Sequence, residues 1–281
     1  TVAFAMRVEE DAARRDFTMN ALYADAEGRI ILADALSYGE RYDAELVMTR
    51  TEWLAARALA FDVTDASVEA TTRCYRRAAL PETVIERQRQ RGNAYRRGVS
   101  EPPPQFRRIE AGQELWIAGS RWQVLIGEGH APEQVTLYCG ERRLLIAADQ
   151  VLPRISPVIG VWASEPEADP LAAFLQSLEQ YRGLPEDCRV LPSHGLPFDG
   201  LHARLEELVV HHEERLDMTL AACAGQVDAH AVLRHLFRRE LDPHQMGFAL
   251  GETLSHLNYL VNQGIVARWT DRDGVLRYQG C

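Results

Sequence analysis

Three side chains suited to metal binding each follow a short run of aliphatic residues. They are His130, Asp149 and His194. Short apolar runs bounded by Gly and Pro predict buried strands, so each of the three is expected just beyond the end of a strand. Side chains at neighbouring strand ends can meet at one point. Imidazole and carboxylate groups suit zinc, iron or manganese, so the pattern indicates a divalent metal site.

Composition excludes several classes of protein. The 281 residues include 46% hydrophobic residues, which is enough for a folded core. The net charge of -10 argues against a general nucleic-acid binder. The sequence has no lysine, which excludes a lysine nucleophile. Five cysteines without a C-x-x-C pair favour reduced thiols and a cytoplasmic location, and no run is long enough to span a membrane.

The elements that must position the three ligands follow from apolar periodicity. Two hairpins are predicted, each with a short glycine-containing turn, and a further strand leads to His194. Helices are predicted where apolar residues recur at helical spacing. The predicted strands are 114–118, 121–126, 135–139, 143–148 and 188–191, and the predicted helices are 53–59, 169–178 and 199–220.

The N-terminal part suggests a hairpin formed by residues 21–24 and 29–32. A strand is predicted at 45–48. Thr49 and Glu52 then form a capping signal, in which a Thr is followed three residues later by a Glu, at the start of the next helix.

The sequence around Arg14, Arg15 and Asp16 reads Arg-Arg-Asp-Phe-Thr-Met-Asn-Ala. It resembles a motif of the CCA-adding tRNA nucleotidyltransferase and poly(A) polymerase family. The resemblance implies that these three residues place the sugar and phosphates of a nucleotide. It covers about 30 residues, and the acidic pair that the family uses to bind metal is absent. The alternative interpretation is a helix and hairpin remnant without activity.

From about residue 43 to the C-terminus the chain resembles the metallo-β-lactamase-fold hydrolases with a C-terminal winged-helix-like cap. The matching segments are Gly129–Gln134, Leu144–Pro153 and Leu191–Gly195. The resemblance implies an αβ/βα sandwich whose site holds two divalent ions, with zinc expected. It implies that His130 binds the first ion, that Asp149 bridges the two and that His194 binds the second.

The principal ligand motif of that family, His-x-His-x-Asp-His, is missing. No histidine precedes His130, and the region before residue 45 suggests no strands for the first sheet of the sandwich. We therefore expect an α+β fold containing a partial metallo-β-lactamase sandwich, in a truncated or chimeric chain. Each ion would keep two protein ligands where stable sites use at least three, so hydrolysis is expected to be impaired.

The last 55 or so residues predict two helices followed by a hairpin, a winged-helix pattern. The second helix carries no arginine over residues 250–263, which favours packing or a role in a substrate cleft over DNA binding. The expected domains are a nucleotidyltransferase-like fragment at 1–30, a truncated metallo-β-lactamase-fold domain at 43–222 and a winged-helix-like domain at 223–281.

The expected reaction is hydrolysis of a thioester, ester or phosphodiester by a metal-bound hydroxide. The alternatives are a CCA-adding enzyme fragment and a scaffold or interaction domain without catalysis. Residues 73–97 contain eight arginines and two glutamates, which suits either an anionic substrate or a solvated helix surface. The expected partner is a small molecule or acyl thioester. RNA is a weaker alternative, no membrane is expected and the oligomeric state stays open.

Overall fold

The computed structural model describes residues 21–24, 30–33, 45–93, 95–96, 99 and 101–281. The chain divides into two compact units. The first contains the described residues up to Asp62 together with Asn93–Pro157 and Ser177–Leu205, and the second contains Val63–Gly92, Val158–Gln176 and Glu206–Cys281. Within the described residues, no helix combines the length and the apolar character needed to cross a bilayer.

A four-stranded sheet lies in the first unit. Its strands are β1 (Ala21–Ala24), β2 (Ile30–Ala33), β3 (Glu45–Met48) and β4 (Arg107–Arg108), in the order β2-β1-β3-β4. β1 pairs antiparallel with both β2 and β3, while β3 and β4 are parallel. The N-terminal hairpin therefore continues directly into the sheet that contains β3.

A five-stranded sheet is the second layer of the first unit. Its strands, in spatial and chain order, are β5 (Glu114–Ile117), β6 (Ser120–Gly127), β7 (Gln134–Cys139), β8 (Leu144–Ala148) and β9 (Arg189–Pro192). β5 to β8 are antiparallel neighbours, and β8 and β9 are parallel. Alternate residues of β6 point inward, and Val124 and Leu137 pack with Val47 of the first sheet in one core.

Seven helices are found in the described residues. They are α1 (Arg50–Phe61), α2 (Asp65–Arg77), α3 (Glu82–Arg91), α4 (Pro170–Arg182), α5 (Leu201–Ala222), α6 (Ala229–Leu236) and α7 (Pro243–Asn262). Thr49 caps α1, because its hydroxyl accepts the amide of Glu52 at 3.3 Å. Asp169 likewise precedes α4, and its carboxylate accepts the amide of Ala172 at 3.1 Å.

The second unit ends in the predicted arrangement of two helices and a wing. α6 and α7 are followed by the antiparallel hairpin β11 (Val266–Thr270) and β12 (Leu276–Gly280), and the short strand β10 (Val227–Asp228) pairs with β12. Leu233, Leu257 and Tyr278 belong to the core of this unit. The winged-helix-like pattern is confirmed.

Most of the predicted elements are present within one to five residues of their predicted ends. The α+β class and both hairpins of the second sheet are confirmed. The expectation that no strands precede residue 45 for the first sheet is wrong, because β1 and β2 extend that sheet. The N-terminal hairpin is part of this sheet, because Tyr23 lies in register with Leu46 across β1 and β3.

Candidate metal centre

The three predicted ligands lie at one edge of the second sheet. β6 and β8 are both antiparallel to β7, and β9 is parallel to β8, so β6, β8 and β9 run in the same direction. Their C-terminal ends therefore share an edge. His130 lies in the loop after β6, Asp149 directly follows β8, and His194 lies two residues after β9. The register of the sheet explains why residues so far apart in sequence meet.

Asp149 lies between the two histidines. Its Oδ2 atom is 3.6 Å from Nε2 of His130, and its Oδ1 atom is 3.3 Å from Nε2 of His194. The hydroxyl of Ser193 also donates a hydrogen bond to Oδ1. The Asp149 side chain is 4% exposed, whereas the two imidazoles are partly exposed. Both predicted histidine ligands therefore lie against Asp149, whose carboxylate is at the centre.

Ala148, which precedes Asp149, has a strained backbone conformation that orients Asp149 towards this contact. Ala148 has a φ of 48°, in the left-handed region that disfavours residues with a Cβ, at an irregularity in the pairing of β8 with β9. Its carbonyl accepts the amide of Ser193 at 3.0 Å.

Burial alone would raise the pKa of the Asp149 carboxyl. The hydrogen bonds from His130 and Ser193, together with the nearby imidazoles, outweigh this effect and lower the pKa to about 2.

The start of the His130 loop is held by Gln150. Its Nε2 atom donates to the carbonyl of Glu128 at 3.2 Å and to Oγ of Ser177 at 2.9 Å, and that hydroxyl accepts the amide of Glu128 at 3.3 Å. The side chain of Gln150 lies over Gly127, where a Cβ would come 2.3 Å from its Cδ. The glycine at this position therefore makes room for the amide that fixes the loop.

The end of the same loop is held by α1, which sequence reasoning did not anticipate. Oε1 of Glu52 accepts the amide of Glu133 at 3.0 Å, and the hydroxyl of Thr49 donates to the carbonyl of Glu133 at 3.3 Å. Burial raises the pKa of Glu52, while the hydrogen bond from Glu133 and the proximity of His130 oppose the rise. The sequence does predict Thr49 and Glu52 as a capping pair, but it does not indicate that Glu133 is their partner.

His130, Asp149 and His194 form the donor set of the candidate metal centre. Two imidazoles and an ionised carboxylate suit a divalent ion in chemical type. The number of donors is too small for two ions. If the two ions shared Asp149, each would have only one histidine in addition. In the parts of the chain that the structure describes, no group of three or more His, Cys, Asp or Glu side chains has a geometry that could hold an ion. These residues therefore do not fit a two-metal centre.

The sequence also predicted a nucleotide-binding site and an arginine-rich segment at residues 73–97. Arg14, Arg15 and Asp16, the predicted nucleotide-binding residues, lie outside the described residues. The arginine-rich segment forms parts of α2 and α3, where Arg76 pairs with Glu69 and Glu82. A small cavity of about 60 Å³ also borders this segment. It is lined by Tyr75, Val84, Arg87, Gln88, Arg91, Leu241 and Met246.

Comparison with protein families gives three matches along the chain. Residues 38–194 match the metallo-beta-lactamase superfamily, and residues 216–281 match the metallo-beta-lactamase-like C-terminal domain. Residues 1–40 match the poly A polymerase head domain. Both resemblances predicted from the sequence are therefore confirmed. A comparison with curated proteins gave no match.

Solved structures agree with the family matches. A beta-lactamase domain protein from Burkholderia ambifaria is 38% identical with a TM-score of 0.78, and the match covers 86% of this chain and 67% of that one. The metallo-beta-lactamase family protein TTHA1429 from Thermus thermophilus is 31% identical with a TM-score of 0.72, covering 88% and 75% respectively. These values extend the likeness over both compact units.

Proposed function

Because the chain belongs to the metallo-β-lactamase superfamily, we propose that it derives from a metal-dependent hydrolase and that its own hydrolytic activity is impaired. The observation that carries this proposal is the arrangement at Asp149, where both carboxylate oxygens contact imidazoles or a hydroxyl. The expected reaction is hydrolysis of a thioester, ester or phosphodiester. Divalent ions in an intact site supply an activated water at neutral pH.

The impairment follows from the number of donors. His130 and His194 are the histidines at this edge, and no histidine precedes His130 in the sequence. Catalytic zinc sites use three protein ligands for each ion, so three donors serve at most one ion. An ion would also have to displace the contacts that Asp149 makes with its neighbours. We therefore expect weak metal retention, with zinc as the preferred ion.

Metal analysis tests the proposal directly. The full chain, expressed and purified with zinc present, is expected to retain less than about 0.2 zinc per chain. H130A and H194A are the matched variants, and H202A, which changes a histidine outside the predicted ligand set, is the control. Retention of one zinc or more per chain, lost in H130A and H194A but kept in H202A, would overturn the impairment.

Hydrolysis assays test the reaction class. A panel containing an acyl thioester, an activated ester and a phosphodiester is expected to be turned over no faster by the chain than by H194A. A rate at least tenfold above H194A for one of the three would show an active hydrolase and name its bond type. A small-molecule or acyl-thioester substrate is the proposed partner.

A second candidate function has one observation in its favour, the match of residues 1–40 to the poly A polymerase head domain. It would require Arg14, Arg15 and Asp16 to place a nucleotide. Incorporation of CTP or ATP into a tRNA lacking its 3′ end is expected to be absent, and incorporation lost in R14A and R15A would establish it. In that event RNA would be the partner.

The wing argues against nucleic acid as the partner of the C-terminal region. Two of its arginines are engaged with carboxylates: Arg277 contacts Asp228 and Asp271, and Arg268 contacts Glu167. Cations that already have carboxylate partners are poor phosphate ligands.

A scaffold role without catalysis is the third proposal. The five free cysteines suit a reducing compartment, and we propose the cytoplasm.

A further inference from the structure

The first turn of α1 holds the loop that carries His130. We propose that Glu52 is a positioning residue for His130, acting through the backbone of Glu133. The inference rests on the proposed function only in treating His130 as a predicted ligand. The hydrogen bonds that support it belong to the described fold.

The first turn of α1 holds both backbone polar groups of Glu133. The amide of Glu133 donates to Glu52 at 3.0 Å, and its carbonyl accepts from Thr49 at 3.3 Å. Glu52 and Thr49 are 5% and 2% exposed, so water does not compete freely for these bonds. A residue held at both its amide and its carbonyl has little freedom to move, and Glu133 lies three residues after His130.

The role of the Glu52 carboxylate differs from that in a capping box. In a capping box, the glutamate bonds back to the amide of the N-cap residue. Here Thr49 does accept the amide of Glu52, but the Glu52 side chain extends to Glu133, 81 residues away in sequence. A buried carboxylate is costly unless it is hydrogen-bonded, and a charged acceptor makes a stronger bond than a neutral one. The local capping contact is replaced by one that orders the ligand loop.

The two ends of the loop are then fixed from different elements. Gln150 and Ser177 hold Glu128 before His130, and Glu52 and Thr49 hold Glu133 after it. Of these four residues Glu52 is the ionisable one, and it lies near His130.

The test compares three variants of the full chain by NMR without added metal. E52M fills a similar volume without an acceptor, E52Q keeps an acceptor, and E82M is the matched control because Glu82 is an exposed acid in the first turn of α3. In E52M, exchange of the Glu133 amide is expected to rise about tenfold and the His130 ring signals to shift. E82M is expected to match the wild type, and E52Q to lie between the wild type and E52M.

Three outcomes would overturn the proposal. The first is unchanged exchange at Glu133 in E52M, and the second is an unshifted His130 ring. The third is an equal rise in exchange at Leu137 in the core, which would show general loosening instead of local release. If E52M does not fold, E52A gives the same comparison. Zinc retention by the wild type does not enter this result, so its failure and that of the proposed function are distinguishable.

Discussion

Nε2 of His194 lies 3.3 Å from Oδ1 of Asp149, although 45 residues separate them in sequence. The contact exists because β8 and β9 are parallel and end at the same edge of the sheet. The Asp149 carboxylate is buried, so it contributes to folding only while its partners are present. The contact that brings these two predicted ligands together therefore also stabilises the fold.

A double-mutant cycle is expected to show this coupling. D149A and H194A should each destabilise the chain, and together they should do so by less than the sum, with a coupling of about 0.5–3 kcal/mol. The measurement is urea unfolding at pH 7. The control cycle pairs D149A with R121A, whose guanidinium contacts Glu114 on β5, and should be additive. Additivity in the first cycle would show that the two side chains do not interact in solution.

Gln134 is expected to be a source of instability. Its side chain is completely buried, and neither its amide nitrogen nor its amide oxygen has a hydrogen-bond partner in the described structure. Each unmet polar group costs about 1–3 kcal/mol, so Q134M should raise the free energy of unfolding by about 1 kcal/mol or more. Urea unfolding measures the change, and a loss of stability would mean that a bound water or another partner satisfies the amide.

Gln180 is the matched control for that substitution. Its Nε2 atom donates to the carbonyl of Ile126 at 2.6 Å and to that of Ser177 at 2.9 Å. Q180M removes satisfied hydrogen bonds and leaves two carbonyls without their donor, so it should destabilise the chain. The opposite signs of the two substitutions separate the effect of an unmet amide from that of adding a methionine.

The strands that carry the site were predictable because each is a short aliphatic run closed by a turn. Once β6, β8 and β9 are assigned, a shared edge for His130, Asp149 and His194 follows from strand direction. The four-stranded sheet was not predictable in the same way. The pairing of β1 with β3 depends on which distant strand edge is free, and a local pattern does not carry that information.

The support of the site was also beyond sequence reasoning. The spacing of Thr49 and Glu52 predicts a helix start correctly, but the Glu52 carboxylate can bond either to its own helix or to a loop brought near by folding. Similarly, His212 and His256 each look like ordinary helix residues. Only the approach of α5 and α7 places their rings together. Tertiary partners of polar side chains are set by chain packing, which local spacing does not encode.

Glycine at position 127 is expected to be required for the order of the His130 loop. A Cβ there would lie 2.3 Å from Cδ of Gln150, which is itself buried and bonded to Glu128 and Ser177. G127A should therefore destabilise the chain by about 1–3 kcal/mol through overpacking. Urea unfolding measures this loss, and Q150A in the G127A background should recover part of it. If Q150A recovers none of the lost stability, the clash in G127A is not with Gln150.

The buried histidine pair of the second unit should make stability depend on pH. Nδ1 of His212 is 3.4 Å from Nε2 of His256. Burial, reinforced for His212 by His256, His211 and Arg215, lowers the pKa of His212 from 6.5 to about 3. Burial also lowers the pKa of His256 to about 4, with Arg215 and His211 acting in the same direction and the Glu252 carbonyl opposing it.

The sign follows from proton uptake. Below pH 6.5 the unfolded chain binds protons at both histidines while the folded chain does not, so stability falls as the pH drops towards 4. Each histidine should contribute up to about 1.4 kcal/mol per pH unit to this slope. Urea unfolding from pH 7 to 4 should show a shallower slope in H212Q and H256Q, and an unchanged slope in H235Q, which alters an exposed histidine. Equal slopes in all variants would mean that the pair is protonated in the folded chain.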